Sequence, residues 1–172
     1  MRDRAANQSS VPDLSEHHPA HGLDVVYSCS RITPEIIIGN FACSTDGDFV
    51  KALGAKSIIS LAPSAHPTKE ILTTLTAHSR ANLEDGPGND RDTFLRVVND
   101  LAEMVKYSPP VLVCCHAGRS RSPAVVAAYL MLRHGYTPEM AFSIIQEQRE
   151  LHVASDLYRL VASLEGTQLS RK

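Results

Sequence analysis

Cys115 and Arg121 stand six positions apart in the segment Val111-Leu112-Val113-Cys114-Cys115-His116-Ala117-Gly118-Arg119-Ser120-Arg121-Ser122-Pro123. The thiolate is the nucleophilic form of cysteine, and a guanidinium grips a tetrahedral oxyanion through two parallel hydrogen bonds. Together the two groups suit one chemistry: attack on the phosphorus of a bound phosphate ester. The flanking residues say how the pair is held. Pro110 to Cys114 is apolar and twice β-branched, the pattern of a buried strand. Such a strand delivers Cys115 to the carboxyl edge of a sheet, where open α/β sheets bind ligands. A short polar loop follows, and Pro123 to His134 reads as a helix closed by Gly135. Successive N–H groups of a loop that curls into a helix point at one spot, and the helix N-terminus adds partial positive charge there. A cysteine at the base of that nest is favoured as its thiolate. Gly118 lets the backbone make the turn without a Cβ clash. The plainer alternative, an inert buried cysteine ahead of a helix, needs strand, glycine, arginine and helix to coincide by chance.

The segment Cys115-His116-Ala117-Gly118-Arg119-Ser120-Arg121-Ser122 resembles the Cys-x5-Arg-Ser/Thr loop of the protein tyrosine phosphatases, in their dual-specificity branch. Ile32 to Gly39 is similar to that family's opening strands, and Val126 to Met131 to the helix after its phosphate loop. The resemblance implies a phosphate-binding loop made of Cys115, His116, Ala117, Gly118, Arg119, Ser120 and Arg121. It implies Cys115 as nucleophile through a cysteinyl phosphate, Arg121 as phosphoryl ligand, and Ser122 as a hydrogen-bond donor to the departing sulfur. An N-cap for the following helix is the plainer role for Ser122. No metal and no organic cofactor are implied.

The family takes its general acid from a loop roughly thirty residues before the cysteine, and Asp85 lies in Glu84-Asp85-Gly86-Pro87-Gly88-Asn89 at that spacing. Asp90 and Asp92 are its rivals, but both look like helix-starting residues. One position departs from the family pattern: Cys114 stands where a His usually precedes the nucleophile. The substrate expected is a phosphorylated protein. Arg119, where the protein phosphatases often carry an apolar residue, makes the loop similar also to those of phosphoinositide and phosphatidylglycerophosphate phosphatases. An anionic phospholipid is therefore the alternative substrate, unless Arg119 pairs with a surface carboxylate. A phospho-binding pseudophosphatase is the alternative of another class, with Cys114 its only support. Cys43 or Cys114 could pair reversibly with an oxidised Cys115.

These residues require a scaffold of alternating strands and helices. Ile36 to Ile38, ending at Gly39, reads as a strand; Ser44 as the cap of a short helix carrying Phe49, Val50 and Leu53; and Ser57 to Leu61 as the next strand. A helix is expected over 67–76 and a weak strand over Ala81 to Leu83. Phe94, Val97, Val98, Leu101 and Val105 share one helical face. Thr137-Pro138 starts another helix with an apolar face of Ala141, Ile144, Ile145 and Gln148, and Leu157, Leu160, Val161 and Leu164 mark the last. The alternation predicts an α/β fold of the tyrosine phosphatase type: one domain, with a mostly parallel sheet of about five strands flanked by helices.

The domain is expected over 23–168, after a polar leader at 1–22 and before a tail at 169–172. The leader carries His17, His18 and His21, read as solvated rather than metal-binding. A formal net charge of −2 gives no bulk reason for nucleic acid binding. Adjacent Cys114 and Cys115 make a poor disulfide framework, and no apolar run reaches the roughly 18 residues of a membrane span, so reduced thiols, a cytoplasmic location and no stable membrane insertion are expected. Oligomeric state has no mark in the sequence.

Overall fold

A computed structural model describes residues 25–169 of the chain. The predicted leader, with its three histidines, lies outside them. Five strands form one sheet in the order β1-β2-β5-β3-β4, where β1 is Cys29–Thr33, β2 Ile36–Gly39, β3 Ser57–Ser60, β4 Ala77–Arg80 and β5 Val111–Cys114. β1 pairs antiparallel with β2 and every other pairing is parallel. β2, β3 and β5 are buried throughout, which is why β2 and β5 read as unbroken apolar runs and β3 carries two isoleucines between its serines. Within each strand alternate residues serve opposite faces. Ile36, Ile38, Ile59, Val111 and Val113 face α4 (Arg91–Tyr107), α5 (Arg121–His134), α6 (Pro138–Gln146) and α7 (Ser155–Ala162). Ile37, Ile58, Leu112 and Cys114 face α1 (Phe41–Thr45), α2 (Gly47–Ala52) and α3 (Lys69–Leu72). The predicted fold class therefore stands, with helices on both faces of the sheet.

Several boundaries differ from the sequence expectation, each for a local reason. Ser44 caps nothing: it lies inside α1, where its Oγ donates to Ala65 O at 2.8 Å. The cap of α2 is Asp46, whose Oδ1 accepts from the Asp48 and Phe49 amides, both at 3.0 Å. The helix expected over 67–76 shrinks to α3. The hydroxyls of Thr73 and Thr74 donate back to the carbonyls of Glu70 and Ile71 at 2.7 and 2.8 Å, satisfying acceptors that a longer helix would use. The fourth strand is Ala77–Arg80 rather than Ala81 to Leu83. It is a sheet edge, where a polar sequence is tolerated, and the apolar residues after it only run on beside β3 through Ala81 N to Ser60 O and Leu83 N to Leu61 O. α5 begins at Arg121, two residues before the predicted Pro123. Gln148 is exposed beyond the end of α6 and does not join its apolar face. The Thr137 cap is as predicted, accepting from Met140 N at 3.3 Å.

The register aligns Cys29, Gly39, Cys114 and Ser60 in one row across the sheet at the edge from which the functional loop departs. A Cβ on Gly39 would meet Cys43 Cβ at 2.8 Å and Cys114 Sγ at 3.0 Å, so the row closes only because position 39 has no side chain. Gly39→Ala is expected to destabilise the domain by about 1–3 kcal/mol through overpacking, read from the urea midpoint. An unchanged midpoint would mean that the thiols move aside freely.

Candidate active site

β5 ends at Cys114, and the loop from Cys115 to Ser120 turns directly into α5. Cys115 is 2% exposed, at the floor of the loop. The Gly118 amide donates to its Sγ at 3.2 Å. Gly118 makes that bond at φ +70, a left-handed conformation in which a side chain would be strained. The loop carbonyls are held outward by other parts of the chain: Phe41 N donates to His116 O at 3.1 Å and His152 N to Arg119 O at 2.9 Å. With these two carbonyls engaged from outside and the Gly118 amide turned to the sulfur, the loop is shaped as an anion nest would be. Ser120 occupies the N-cap position of α5 but does not cap it; its Oγ accepts from Ala154 N at 3.1 Å.

Arg121 leans over this loop with its side chain 14% exposed. Its Nη1 donates to Leu83 O at 3.3 Å and its Nη2 lies 3.9 Å from Asp85 Oδ2, a loose pairing that leaves both groups room for a ligand. Sequence-distant Asp85 is thus brought beside the cysteine loop, half-exposed at its rim. Asp90 is occupied elsewhere: its Oδ2 caps α4 by accepting from Thr93 N at 2.8 Å, and the Thr93 bonds hold its carboxyl below the usual range. Asp92 lies in the first turn of the same helix, as expected.

Asn89 shapes the loop that carries Asp85. Its Oδ1 accepts from Glu84 N at 2.9 Å, and its Nδ2 donates to Glu84 O at 2.9 Å and Gly86 O at 3.0 Å. One side chain therefore closes the whole turn around Asp85. Its type was a turn signal in the sequence, but its triple role needed the folded loop.

The remaining loop residues divide. His116 and Ala117 are exposed at the mouth; the His116 ring stacks on Phe41 with centroids 5.4 Å apart, and its Nδ1 sits 3.1 Å from Ser64 Oγ. Arg119 pairs with Glu150 at 3.1 Å, and the other oxygen of Glu150 lies 2.9 Å from His152 Nε2. Ser122 is not an N-cap: it is the second residue of α5, fully buried, and its Oγ has no hydrogen-bond partner among the described residues. Cys114 is also fully buried, on the opposite face of the sheet from the loop, and burial pushes its thiol up. All four cysteines are free.

A strand, a tight loop and a helix thus bring a buried cysteine, an arginine and an aspartate together, the arrangement that the resemblance to the tyrosine phosphatases implied. The catalytic-domain family of dual specificity phosphatases matches residues 36–162, and the chain belongs to it. It is 30% identical over 122 residues to the protein-tyrosine-phosphatase MKP1 of Arabidopsis thaliana, covering 70% of this chain and 15% of that one. It is 27% identical over 144 residues to dual specificity protein phosphatase 1 of the same plant, covering 82% of this chain and 69% of that one. Among solved structures, the human tyrosine phosphatase-like serine/threonine/tyrosine-interacting protein superposes with a TM-score of 0.70 at 22% identity, covering 80% of this chain and 95% of that one. PTPMT1 in complex with PI(5)P superposes with a TM-score of 0.67 at 19% identity, covering 78% and 92%. Among the described residues, no helix is long and apolar enough to cross a membrane.

If Asp85 is the acid, Asn89→Ala is expected to lower kcat on an aryl phosphate about tenfold, with little change in melting temperature, because it releases the loop that carries Asp85. Wild-type kcat in that variant would remove Asn89 from any positioning role.

Proposed function

We propose that the chain hydrolyses phosphate monoesters by two in-line displacements through a cysteinyl phosphate. The observation that carries this reading is the convergence of Cys115 Sγ, the Gly118 amide, Arg121 and Asp85 on one loop. In the first step the Cys115 thiolate forms a bond to phosphorus while the ester oxygen leaves, taking a proton from Asp85. In the second, water attacks the cysteinyl phosphate, gives its proton to Asp85 and expels the thiolate as inorganic phosphate forms. Arg121 binds two phosphoryl oxygens throughout, with the loop amides on the others. Ser122 donates to the departing sulfur; its buried hydroxyl, unpartnered beside the loop, supports that assignment.

A phosphorylated protein is the preferred substrate, with phosphotyrosine the best fit. Phe41, 37% exposed, and the His116 ring make one wall of the mouth flat and aromatic, which suits an aryl ester. The lipid alternative rested on Arg119 as a cation for a second anionic group, and Glu150 already takes that charge. It keeps the support of the fold it shares with PTPMT1, whose structure holds PI(5)P. The pseudophosphatase alternative keeps the support of the fold shared with the interacting protein, but the complete set of Cys115, Arg121, Asp85 and Ser122 weighs against it.

Release of phosphate from an aryl phosphate in excess chelator is expected from the wild type and not from Cys115→Ser. No release from either protein would leave the phospho-binding reading. Asp85→Ala is expected to slow a phosphate with a poor leaving group about 100-fold and one with a good leaving group far less. Equal losses on both would take the acid role from Asp85. Faster turnover of PI(5)P vesicles than of a phosphotyrosine peptide would reverse the substrate preference.

A further inference from the structure

Arg149 is a cation that the proposed chemistry does not use. It follows the end of α6 and reaches into the space behind the phosphate loop. Its Nη1 donates to Ile38 O at 2.9 Å and its Nη2 to Ser28 Oγ at 3.3 Å. The same Nη2 lies 2.9 Å from the point where a Cβ on Gly118 would sit. The guanidinium therefore packs on the very residue whose amide donates to Cys115 Sγ. Arg149 Nε is buried without a hydrogen-bond partner, and no carboxylate among the described residues pairs with this side chain.

A cation taken out of water without a counterion is costly unless another anion sits nearby. Burial pushes the Arg149 guanidinium down, while the sulfurs of Cys43 and Cys115, and then those of Cys29 and Cys114, favour its charge. Of these four, only Cys115 lies in the loop against which Arg149 packs. Cys43 and Cys114 are buried; a hydrogen bond with Cys29 and then burial raise the Cys43 thiol, and burial raises that of Cys114.

We propose that Arg149 is a positioning residue for the nucleophile: its guanidinium braces Gly118 against the end of β2 and supplies the countercharge that holds Cys115 as a thiolate. The inference rests on the reading of Cys115 as nucleophile. It also gives the departure at position 114 a physical answer. The family's usual His would stand beside the nucleophile in sequence, whereas here Cys114 brings no positive charge and the cation arrives from behind, out of the loop after α6.

The other ionisable groups around the loop are already engaged or lie on its far side. Arg121 comes from α5 with Asp85 near it at 3.9 Å. Arg119 is paired with Glu150, which also holds His152, and His116 rests on Ser64 and Phe41. Behind Arg149, Cys29 has its thiol lowered to about 7, chiefly by its hydrogen bond with Cys43 and further by Arg149 and Arg31.

The test is the pH profile of iodoacetamide alkylation at Cys115, quantified by peptide mass so that Cys29 is counted separately. Arg149→Met is expected to move the Cys115 midpoint up by about 1 pH unit, and Arg149→Lys, which keeps the charge, by less than about 0.3. An unmoved midpoint in the Met variant, with slower alkylation at every pH, would reduce Arg149 to packing and overturn the proposal. So would a Lys variant that shifts as far as the Met variant. If Arg149→Met fails to fold, the Lys variant decides alone: a midpoint close to wild type supports the proposal, and a rise of about one unit overturns it. Alkylation needs no turnover, so a wild type that releases no phosphate would refute the hydrolase reading without obscuring this result.

Discussion

The active loop depends on one contact between two backbones. Gly118 places its amide on Cys115 Sγ in a left-handed conformation, and there it lies against the carbonyl of Gly39, 2.8 Å from where a Cβ would be. Gly39 has in turn no room for a side chain of its own, because Cys43 and Cys114 fill the space on its other side. Two glycines on different elements thus let the loop sit directly on the end of β2. The sheet register does the rest, since Gly39 is paired with Cys114, the residue just before Cys115. Loop, central strands and thiol row form one packed unit, and interiors packed at this density pass small displacements on rather than absorbing them.

Around that unit the chain spends distant residues on holding the loop open to a ligand. Phe41, from the first helix, and His152, from the loop after α6, each donate a backbone N–H to a loop carbonyl. Ala154 takes the hydroxyl of Ser120, and Arg149 takes Ile38 O and packs on Gly118. The six residues from 149 to 154 therefore act as a brace along one side of the phosphate loop. Glu150 belongs to it too, but both members of its pair with Arg119 are about half-exposed, so the ion pair adds little stability. Its consequence is electrostatic: a loop with three positively chargeable side chains, His116, Arg119 and Arg121, presents Arg121 as the cation aimed inward.

How much of this could be read from the sequence follows the distance over which each contact acts. The proposed nucleophile, the proposed phosphate ligand, the preceding strand and the following helix are contiguous, so their chemistry and periodicity lie in one short window. Asp85 was singled out by the resemblance, which places an acid about thirty residues before the cysteine; the glycine-rich turn beside it marks only a loop, and its approach to Arg121 needed the fold. β4 escaped because an edge strand need not be apolar, and Ala77-His78-Ser79-Arg80 carries no period that marks it. Ser44 and Asp46 are both good cap residues two positions apart, and only the break between α1 and α2 decides between them. Arg149 had no signal at all. An arginine after an amphipathic helix is ordinarily a solvated charge, and its contacts with Ser28 and Ile38 span more than a hundred residues.

The two arginines at the heart of the site show why such residues divide their work. Arg121 has one carbonyl and a carboxylate at 3.9 Å, a weak set of partners that a phosphate can replace with short bidentate bonds. Arg149 has its Nη groups fixed by a carbonyl and a hydroxyl and is closed off by Gly118, so it has no face to offer a substrate. A cation that must bind and release a dianion has to be loosely held. One proposed to steady the thiolate before attack and as it is expelled has to stay where it is. Placing the first on the helix that starts at the loop and the second on a separate element lets each be held as tightly as its task requires. Under that proposal Cys114 can stand beside Cys115 without a charge of its own, since the charge near the sulfur then comes through space, not from the neighbour in sequence.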